Sequence, residues 1–258
     1  AEICIDAQPH IGTDKLRKIV KNIRQKIIDL GGEVRFETCL TDIEIKDEKI
    51  VAVVFNENEK IIVEDLILAI GHSARDTYQM LYDNKLEMQA KPFSMGVRIE
   101  HTAEMINRAQ YGDFHKNPKL PTARYRLVSH SKKNRSVYSF CMCPGGTVVP
   151  AASEEGRLVT NGMSEKAQDG RNSNSALLVN VLPTDFESEH PLAGIKFQRH
   201  WEEKAYKAGG GHYKAPTQLV GDFLENKPSV RLKNVSPTYA PGVTMTTLND
   251  CLPDYIVD

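Results

Sequence analysis

The sequence predicts a mixed fold, in which an α/β segment is followed by an α+β segment. Three observations support this fold class. Residues 14–30 carry apolar side chains at helical spacing, and strand-like residues follow up to residue 55. Residues 66–70 are apolar without alternation and end on a glycine. After about residue 90, short strand-like segments are separated by Gly, Pro, Asn and Ser, which is typical of antiparallel sheet with added helices.

The first predicted element is an amphipathic helix over residues 14–30. Its apolar face consists of Leu16, Ile19, Val20, Ile23, Ile27 and Leu30. Thr13 is placed to cap its start, and Gly31-Gly32 is placed to end it. Three segments with alternating or β-branched residues then predict an antiparallel meander: residues 33–38, 42–46 and 50–55.

The run Leu66–Ile70 predicts a strand that is buried on both faces, as in a parallel sheet. The run ends on Gly71, where the missing β-carbon lets the backbone approach a flat ligand closely. Ser73 and Asp76 fit a capping box, so a helix is expected to begin at Ser73 and to offer unpaired N–H groups. A strand that ends on a glycine at the start of a helix is typical of a nucleotide site.

Beyond residue 90, the pattern predicts a second domain of antiparallel strands with helices. The strand candidates are residues 91–101, 124–130, 136–144, 157–163 and 175–183. Helices are predicted near residues 103–110 and 194–208. We therefore divide the chain into a first domain over residues 1–90 and a second domain over residues 91–258.

Composition and charge exclude several classes of protein. The chain has 258 residues, of which 40% are hydrophobic and 26% are charged, so it can form a packed core. The net charge of -1 gives no overall attraction for nucleic acid or anionic lipid, and no apolar run is long enough to span a bilayer. Five cysteines, without a visible secretory signal, predict a cytoplasmic protein. We expect a small-molecule substrate and no nucleic-acid or membrane partner; the oligomeric state is open.

The order of helix, meander, apolar run and glycine resembles the second half of the FAD-binding domain in flavoproteins of the glutathione-reductase type. In those proteins the helix is followed by G-x-x-V/F-x-x-x-T-x-V-x-x-I, and the last strand reads D-x-V-I-L-A-T/I-G. The matching residues here are Gly32, Val34, Phe36, Thr38, Ile43 and the run Asp65–Gly71.

The resemblance extends to a group of bacterial proteins described as FAD-dependent, or NAD(FAD)-utilising, dehydrogenases. The segments that carry it are PHIGTDKL, LAIGHSARDTY, KPFSMGVRIEH, YSFCMCPGG, VTNGMS, NSALLVNV, PLAGIKFQRHWEEKA and GGGHYKAPTQLV. This resemblance implies a partial FAD-binding, Rossmann-like domain with a β-meander, followed by an inserted antiparallel β substrate domain with helices. It also implies FAD as the cofactor, with NAD(P)H as a candidate reductant.

One departure from the flavoprotein pattern changes what we expect of this chain. A dinucleotide-binding flavoprotein carries G-x-G-x-x-G after its first strand, and this sequence contains no such string. We therefore expect a fragment of a longer protein, which by itself is purified without flavin. The cofactor-binding residues that the resemblance implies in this chain are Ala69, Ile70, Gly71, His72, Ser73, Gly145 and Gly146.

Cys141, Cys143 and His101 are the weak candidates for catalytic residues. On a regular strand the two cysteines would share a face, where they would bind a metal, form a redox pair or place a thiol against the flavin. A closed metal site needs about four ligands, so no metal is expected, and buried cysteines acting as small hydrophobes are the preferred interpretation. His101 titrates in the range of a general acid or base, although a lone histidine is more often a surface or core residue. Gly145-Gly146 forms either a turn or a backbone approach to the flavin or substrate.

Residues 160–176 are rich in Asn, Ser, Gly and Arg, which suits either a solvated loop or the recognition of a polar or anionic substrate. The candidate substrate-binding residues are Asn161, Arg171, Asn172, Asn174 and Ser175. Arg98 and Glu100 share a face of a predicted strand, and the simplest expectation is an ion pair between them.

The predicted function is that of a fragment of an FAD-dependent oxidoreductase, a dehydrogenase of unknown substrate. The fragment alone is expected to be inactive. One alternative is an RNA-modifying flavoprotein, which would need a basic face. The other is a non-enzymatic ligand-binding or assembly module on a degenerate flavoprotein scaffold.

Overall fold

The computed structural model describes residues 10–258, which fall into two compact units. One unit comprises the residues up to Val20, Pro92–Leu182 and Gln198–Asp258, and the other comprises Lys21–Lys91 and Pro183–Phe197. Both units combine helices with antiparallel strands, so the predicted α+β class is confirmed. The first nine residues of the predicted first domain lie outside the described residues.

The first helix, α1, is Thr13–Asp29, as its apolar spacing predicts. Thr13 is not its cap, because the Thr13 hydroxyl instead donates to the carbonyl oxygen of Ser164 at 3.2 Å. No residue of α1 is buried. Most of the predicted apolar face is exposed, namely Leu16, Val20, Ile23, Ile27 and Leu30. An apolar helical face normally packs on another element, and the part of the chain that is described leaves this one largely uncovered.

An antiparallel meander is present, and two of its three predicted strands are confirmed, at residues 42–46 and 50–55. It consists of β1 (Leu40–Lys46), β2 (Lys49–Phe55) and β3 (Glu59–Ile62), which pair in that order. The prediction of a strand over residues 33–38 is wrong. Glu37 has a φ of 51°, which lies outside the extended region and interrupts any regular strand at this point.

The helix after the meander is α2, Arg75–Asp83, and it begins two residues later than predicted. Its N-cap is Ala74, and not Ser73 as the predicted capping box required. Leu81 of α2 joins Ile43 and Val53 of the meander in a buried apolar cluster. This cluster is the core of the smaller unit.

The prediction of a buried strand at Leu66–Ile70 is wrong. The run has no regular secondary structure, and no strand of residues 10–258 pairs with it. Leu66 packs against the apolar cluster of the meander, whereas Ile67 is 90% exposed. A strand with apolar side chains on both faces needs neighbouring strands and covering helices. The described residues do not supply those neighbours.

The larger unit contains a four-stranded antiparallel sheet with the order β4-β9-β6-β5. Its strands are β4 (Phe93–Thr102), β5 (Val128–His130), β6 (Ser136–Cys143) and β9 (Asn172–Val181). Each lies where the sequence predicts a strand, but β5 is shorter than predicted and β9 begins three residues earlier. As a result, a polar segment that was expected to be a loop lies inside the sheet.

Shorter elements complete the larger unit. The remaining strands are β7 (Thr147–Pro150) and β8 (Thr160–Met163), which are antiparallel, and β10 (Ala215–Thr217) and β11 (Val243–Met245), which are parallel. The remaining helices are α3 (Ala103–Tyr111), α5 (Val220–Leu224), α6 (Asp254–Val257) and α4 (Ala193–Ala208), of which the residues up to Phe197 belong to the smaller unit. Val148, Leu158, Ala215 and Tyr239 form a buried cluster that joins β7, β10 and the segments beside them. The sequence predicts α3 and α4 but not β7, β10 or β11.

Candidate functional site

The central strand β9 begins with four consecutive polar residues, Asn172–Ser175, that are only 0–1% exposed. Because β9 lies between β4 and β6, these residues sit inside the sheet rather than in a solvated loop. Buried polar groups destabilise a fold unless they are hydrogen-bonded. Accordingly, the Ser173 hydroxyl accepts from the Gly145 amide at 3.0 Å, and the Ser175 hydroxyl donates to the Phe140 carbonyl oxygen at 3.3 Å.

One face of this sheet carries a cluster of polar side chains. In the antiparallel register, Glu100 pairs with Asn174, and Cys143 also pairs with Asn174. Directly opposed residues point to the same face, and alternation adds every second residue of each strand. We call this set the polar face; it consists of Arg98, Glu100, Cys143, Asn172 and Asn174.

Arg98 is hydrogen-bonded through both terminal nitrogens of its guanidinium. Nη1 donates to Asn174 Oδ1 at 2.7 Å, and Nη2 donates to Asn161 Oδ1 at 3.3 Å. A longer contact of 3.5 Å joins Nη1 to the carbonyl oxygen of Cys141. All three acceptors are uncharged. Burial lowers the pKa of the Arg98 guanidinium, because desolvation disfavours the charged form.

Glu100 has its own set of donors, so the expected ion pair with Arg98 is not formed. Oε1 of Glu100 accepts from Asn172 Nδ2 at 2.9 Å, from the Thr238 hydroxyl at 2.6 Å and from the Thr238 amide at 3.0 Å. Asn172 Nδ2 also donates to the Ser236 carbonyl oxygen at 2.8 Å. The carboxylate therefore ties the 236–238 segment to the polar face and leaves Arg98 without a negative partner.

His101 lies on the opposite face of the sheet, facing Tyr125. It is 5% exposed, and its Nε2 is 2.9 Å from the Tyr125 hydroxyl. Burial lowers the pKa of His101 and raises the pKa of Tyr125. At neutral pH the pair is therefore an uncharged imidazole hydrogen-bonded to an uncharged phenol. The role of His101 as a general acid or base stays a prediction.

Cys141 and Cys143 lie at an irregularity of β6. The register shifts between Phe140 and Cys143, and Cys141 has a φ of 45°. The regular alternation that would place both thiols on one face is therefore interrupted. Cys141 is exposed, so the interpretation as a buried hydrophobe is wrong for this residue. Cys143 is half-buried, its thiol donates to the Cys141 carbonyl oxygen at 3.3 Å, and burial raises its pKa.

The Gly145-Gly146 turn after β6 is buried against the backbone of residues 163–170. A β-carbon on Gly145 would collide with the carbonyl oxygen of Gln168, and one on Gly146 would collide with that of Met163. Gly145 has a φ of 51°, so its lack of a side chain is required by both conformation and packing. The protein's own backbone thus accounts for both glycines, and their contact with a flavin stays a prediction.

The other predicted cofactor contacts lie along residues 69–73, of which Ala69, Gly71, His72 and Ser73 are exposed and Ile70 is half-buried. Gly71 has a φ of 67°, and no atom lies within 4 Å of the position that a β-carbon would take. The Tyr78 hydroxyl donates to the Gly71 carbonyl oxygen at 2.9 Å and holds the segment against α2. This open backbone would allow a flat ligand to approach closely. The given sequence does not contain the glycine motif that binds the diphosphate of a dinucleotide.

The structure brings together only part of the predicted substrate-binding set. Asn172 and Asn174 lie on the polar face, and Asn161 joins them through Arg98. Ser175 points to the opposite face, and Arg171 is exposed, with its carbonyl oxygen accepting from the Ala103 amide at 2.9 Å. Sequence reasoning missed the contributions of Tyr125 and Thr238. No local pattern marks them, because each is brought to the sheet from a distant segment.

The comparison with known proteins identifies the class to which this fold and site belong. A family model described as "FAD-dependent protein, C-terminal domain-like" matches residues 92–258. The protein is therefore related to FAD-dependent proteins. In particular, this chain belongs to the family of the FAD-dependent protein C-terminal domain.

An uncharacterized protein of Clostridium beijerinckii (strain ATCC 51743 / NCIMB 8052) is 55% identical to the chain over 259 residues. The match covers 100% of this chain and 48% of the relative. The chain thus spans about half the length of the curated relative that it matches.

Within residues 10–258, no group of three His, Cys, Asp or Glu side chains is arranged to hold a metal ion. Every helix in the same range is either too short or too polar to span a lipid bilayer.

The buried His101 predicts a defined dependence of stability on pH. Its folded-state pKa is lowered, so the unfolded state binds the proton more readily; stability is fully present above the unfolded pKa of about 6.5 and is lost as pH falls. Relative to His101→Gln, the wild type should lose free energy of unfolding as the pH falls below the unfolded pKa of about 6.5, as measured by urea denaturation. Tyr125→Phe, which keeps the imidazole, should retain this loss. A difference between wild type and His101→Gln that is constant with pH would contradict the assignment.

The cysteines should differ in reactivity. Cys39 and Cys141 are exposed and should react rapidly with iodoacetamide in the folded chain. Cys143 and Cys251 should react slowly, because burial raises the pKa of both thiols, that of Cys251 to about 11. Mass spectrometry of peptides from partially alkylated protein measures each rate, and the urea-unfolded chain is the control in which all rates converge. Equal rates for Cys141 and Cys143 in the folded chain would refute the geometry of β6.

Proposed function

We propose that this chain is part of an FAD-dependent oxidoreductase. In this assignment, residues 1–90 are the second half of a split FAD-binding domain of the glutathione-reductase type, and residues 91–258 are the inserted substrate domain. The family match over residues 92–258 supports a flavoprotein. The length of the Clostridium beijerinckii relative, of which the chain covers 48%, supports a larger whole.

The observation that carries the proposal is the exposed apolar run that precedes Gly71. Ile67 is 90% exposed and Leu68 is 38% exposed, although the run has the composition of a strand buried on both faces. Exposed apolar patches mark surfaces that another element covers. In the architecture that the sequence resembles, this run is a strand of the FAD domain, and the strand carrying the diphosphate-binding glycines lies in the same sheet. The exposed apolar face of α1 supports the same conclusion.

In the proposed holoprotein, the segment from Ala69 to Ser73 would hold the adenine-nucleotide part of FAD. Gly71 supports this role, because its backbone is open and has a φ of 67°. When bound, the flavin supplies electron transfer between a donor and an acceptor, and we propose NAD(P)H as the donor. The chain's own residues approach the cofactor at Gly71 and bind a small polar substrate through the polar face. Substrate recognition by Asn172 and Asn174 is part of this proposal, and Asn161 lies beside them against Arg98.

The proposal predicts that the longer protein binds FAD and that the 258-residue chain alone is purified colourless. In the longer protein, Gly71→Ala should weaken FAD binding by about tenfold, or about 1.4 kcal/mol, because its methyl group obstructs the approach of the ligand to the backbone. The measurement is a fluorescence titration of the flavin-free protein with FAD.

The matched control is Gly156→Ala, in the larger unit. Gly156 has a φ of 69°, close to the 67° of Gly71, and it also has open space at the β-carbon position. It therefore carries the same backbone cost and should leave the affinity for FAD unchanged. The proposal fails if the longer protein binds no FAD, or if both variants bind it as tightly as the wild type.

A further inference from the structure

Arg98 is a partly buried cation that has no anionic partner among residues 10–258. Its hydrogen bonds reach the amide oxygens of Asn174 and Asn161 and, at 3.5 Å, a backbone carbonyl oxygen. It also contacts the Cys143 thiol, but burial raises the pKa of that thiol and keeps it uncharged at neutral pH. A charge withdrawn from water is normally paired with an opposite charge. The nearest carboxylate along the strand, Glu100, accepts from Asn172 and Thr238 instead of from Arg98. The positive charge of Arg98 is therefore left without compensation.

The same region contains two buried hydrogen-bond donors without an acceptor. They are Nε of Arg98 and Nδ2 of Asn174, and Asn174 is completely buried. Both belong to the pair of side chains joined by the 2.7 Å hydrogen bond from Nη1 to Oδ1. Native proteins leave few buried hydrogen-bond donors unpaired. Because these two unpaired donors lie at the uncompensated charge of Arg98, they indicate that a hydrogen-bond acceptor binds beside Arg98.

The guanidinium also has an edge that can be released at little cost. Nη2 contacts Asn161 Oδ1 at 3.3 Å, and Asn161 lies exposed on the short strand β8. The same oxygen accepts from the Gly162 amide at 2.8 Å, so it keeps a partner if Arg98 leaves it. Moving Asn161 frees Nη2, which together with Nε forms the planar two-donor edge that matches a carboxylate.

We propose that Arg98 binds the carboxylate group of a small-molecule substrate, with Nε and Nη2 donating to its two oxygens and Asn174 Nδ2 adding a third donor. A single cation fits a monoanionic carboxylate better than a phosphate group, which carries about −1.5 to −2 charges at neutral pH. The neutral His101 and Tyr125 lie on the opposite face and add no positive charge. Arg171, the arginine singled out by its sequence context, is exposed and stands outside this cluster.

This inference deepens the proposed function, since it names the class of substrate, but its test requires no flavin. The 258-residue chain, isotope-labelled at the arginine side-chain nitrogens, is titrated with sodium acetate while sodium chloride keeps the ionic strength constant. One Nε–H resonance, which is absent from Arg98→Lys, should shift and saturate at millimolar acetate. Arg171→Lys should remove a different resonance and leave the response unchanged. Inorganic phosphate in place of acetate should bind more weakly.

A second variant keeps the test decisive if Arg98→Lys does not fold. Asn161→Ala, at an exposed position, removes the acceptor that competes for Nη2 and should tighten acetate binding severalfold. The proposal is overturned if no arginine Nε resonance responds to acetate beyond its response to chloride, or if Asn161→Ala weakens binding. Tighter binding of phosphate than of acetate would assign the site to a phosphate group and overturn the carboxylate class. If acetate does not bind at Arg98, the proposed binding of FAD by the longer protein still stands. If the longer protein does not bind FAD, the proposed carboxylate site at Arg98 still stands.

Discussion

The burial of four polar residues, Asn172–Ser175, in the central strand β9 is the constraint on which the rest of the larger unit depends. A buried polar group without a partner costs about 1–3 kcal/mol, more than one hydrogen bond contributes on average. The partners of these residues are therefore fixed in place. Ser173 holds the Gly145 turn, Ser175 binds the backbone of β6, and Asn172 binds Glu100. A strand of this composition forms only because its neighbours supply those groups.

The same constraint produces the electrostatic asymmetry of the sheet. Glu100 accepts from Asn172 and from a threonine 138 residues further along the chain, and it forms no hydrogen bond with Arg98. Arg98 keeps only neutral acceptors on that face. On the other face, burial keeps His101 and Tyr125 uncharged at neutral pH. The proposed carboxylate site at Arg98 therefore lies on the polar face.

Local patterns predict an element when its period is regular and the neighbours that it needs are present. The periodicity of α1, β4 and α4 was sufficient to place all three. The predicted strand at residues 66–70 is absent, because a strand forms only with neighbours and the described residues offer none. Similarly, alternation put Arg98 and Glu100 on one face, but their partners come from segments distant in sequence. The bulge after Phe140, which separates the environments of the two cysteines, has no clear signal in the sequence.

The apolar run before Gly71 links the fold to the proposed function, because its exposure is explained if the longer protein covers it. The direct measurement is amide hydrogen exchange at residues 66–72, compared between this chain and the longer protein with and without FAD. The account predicts rapid exchange in the chain alone, slower exchange in the longer protein, and a further decrease when FAD binds. Equal exchange rates in all three samples would contradict it.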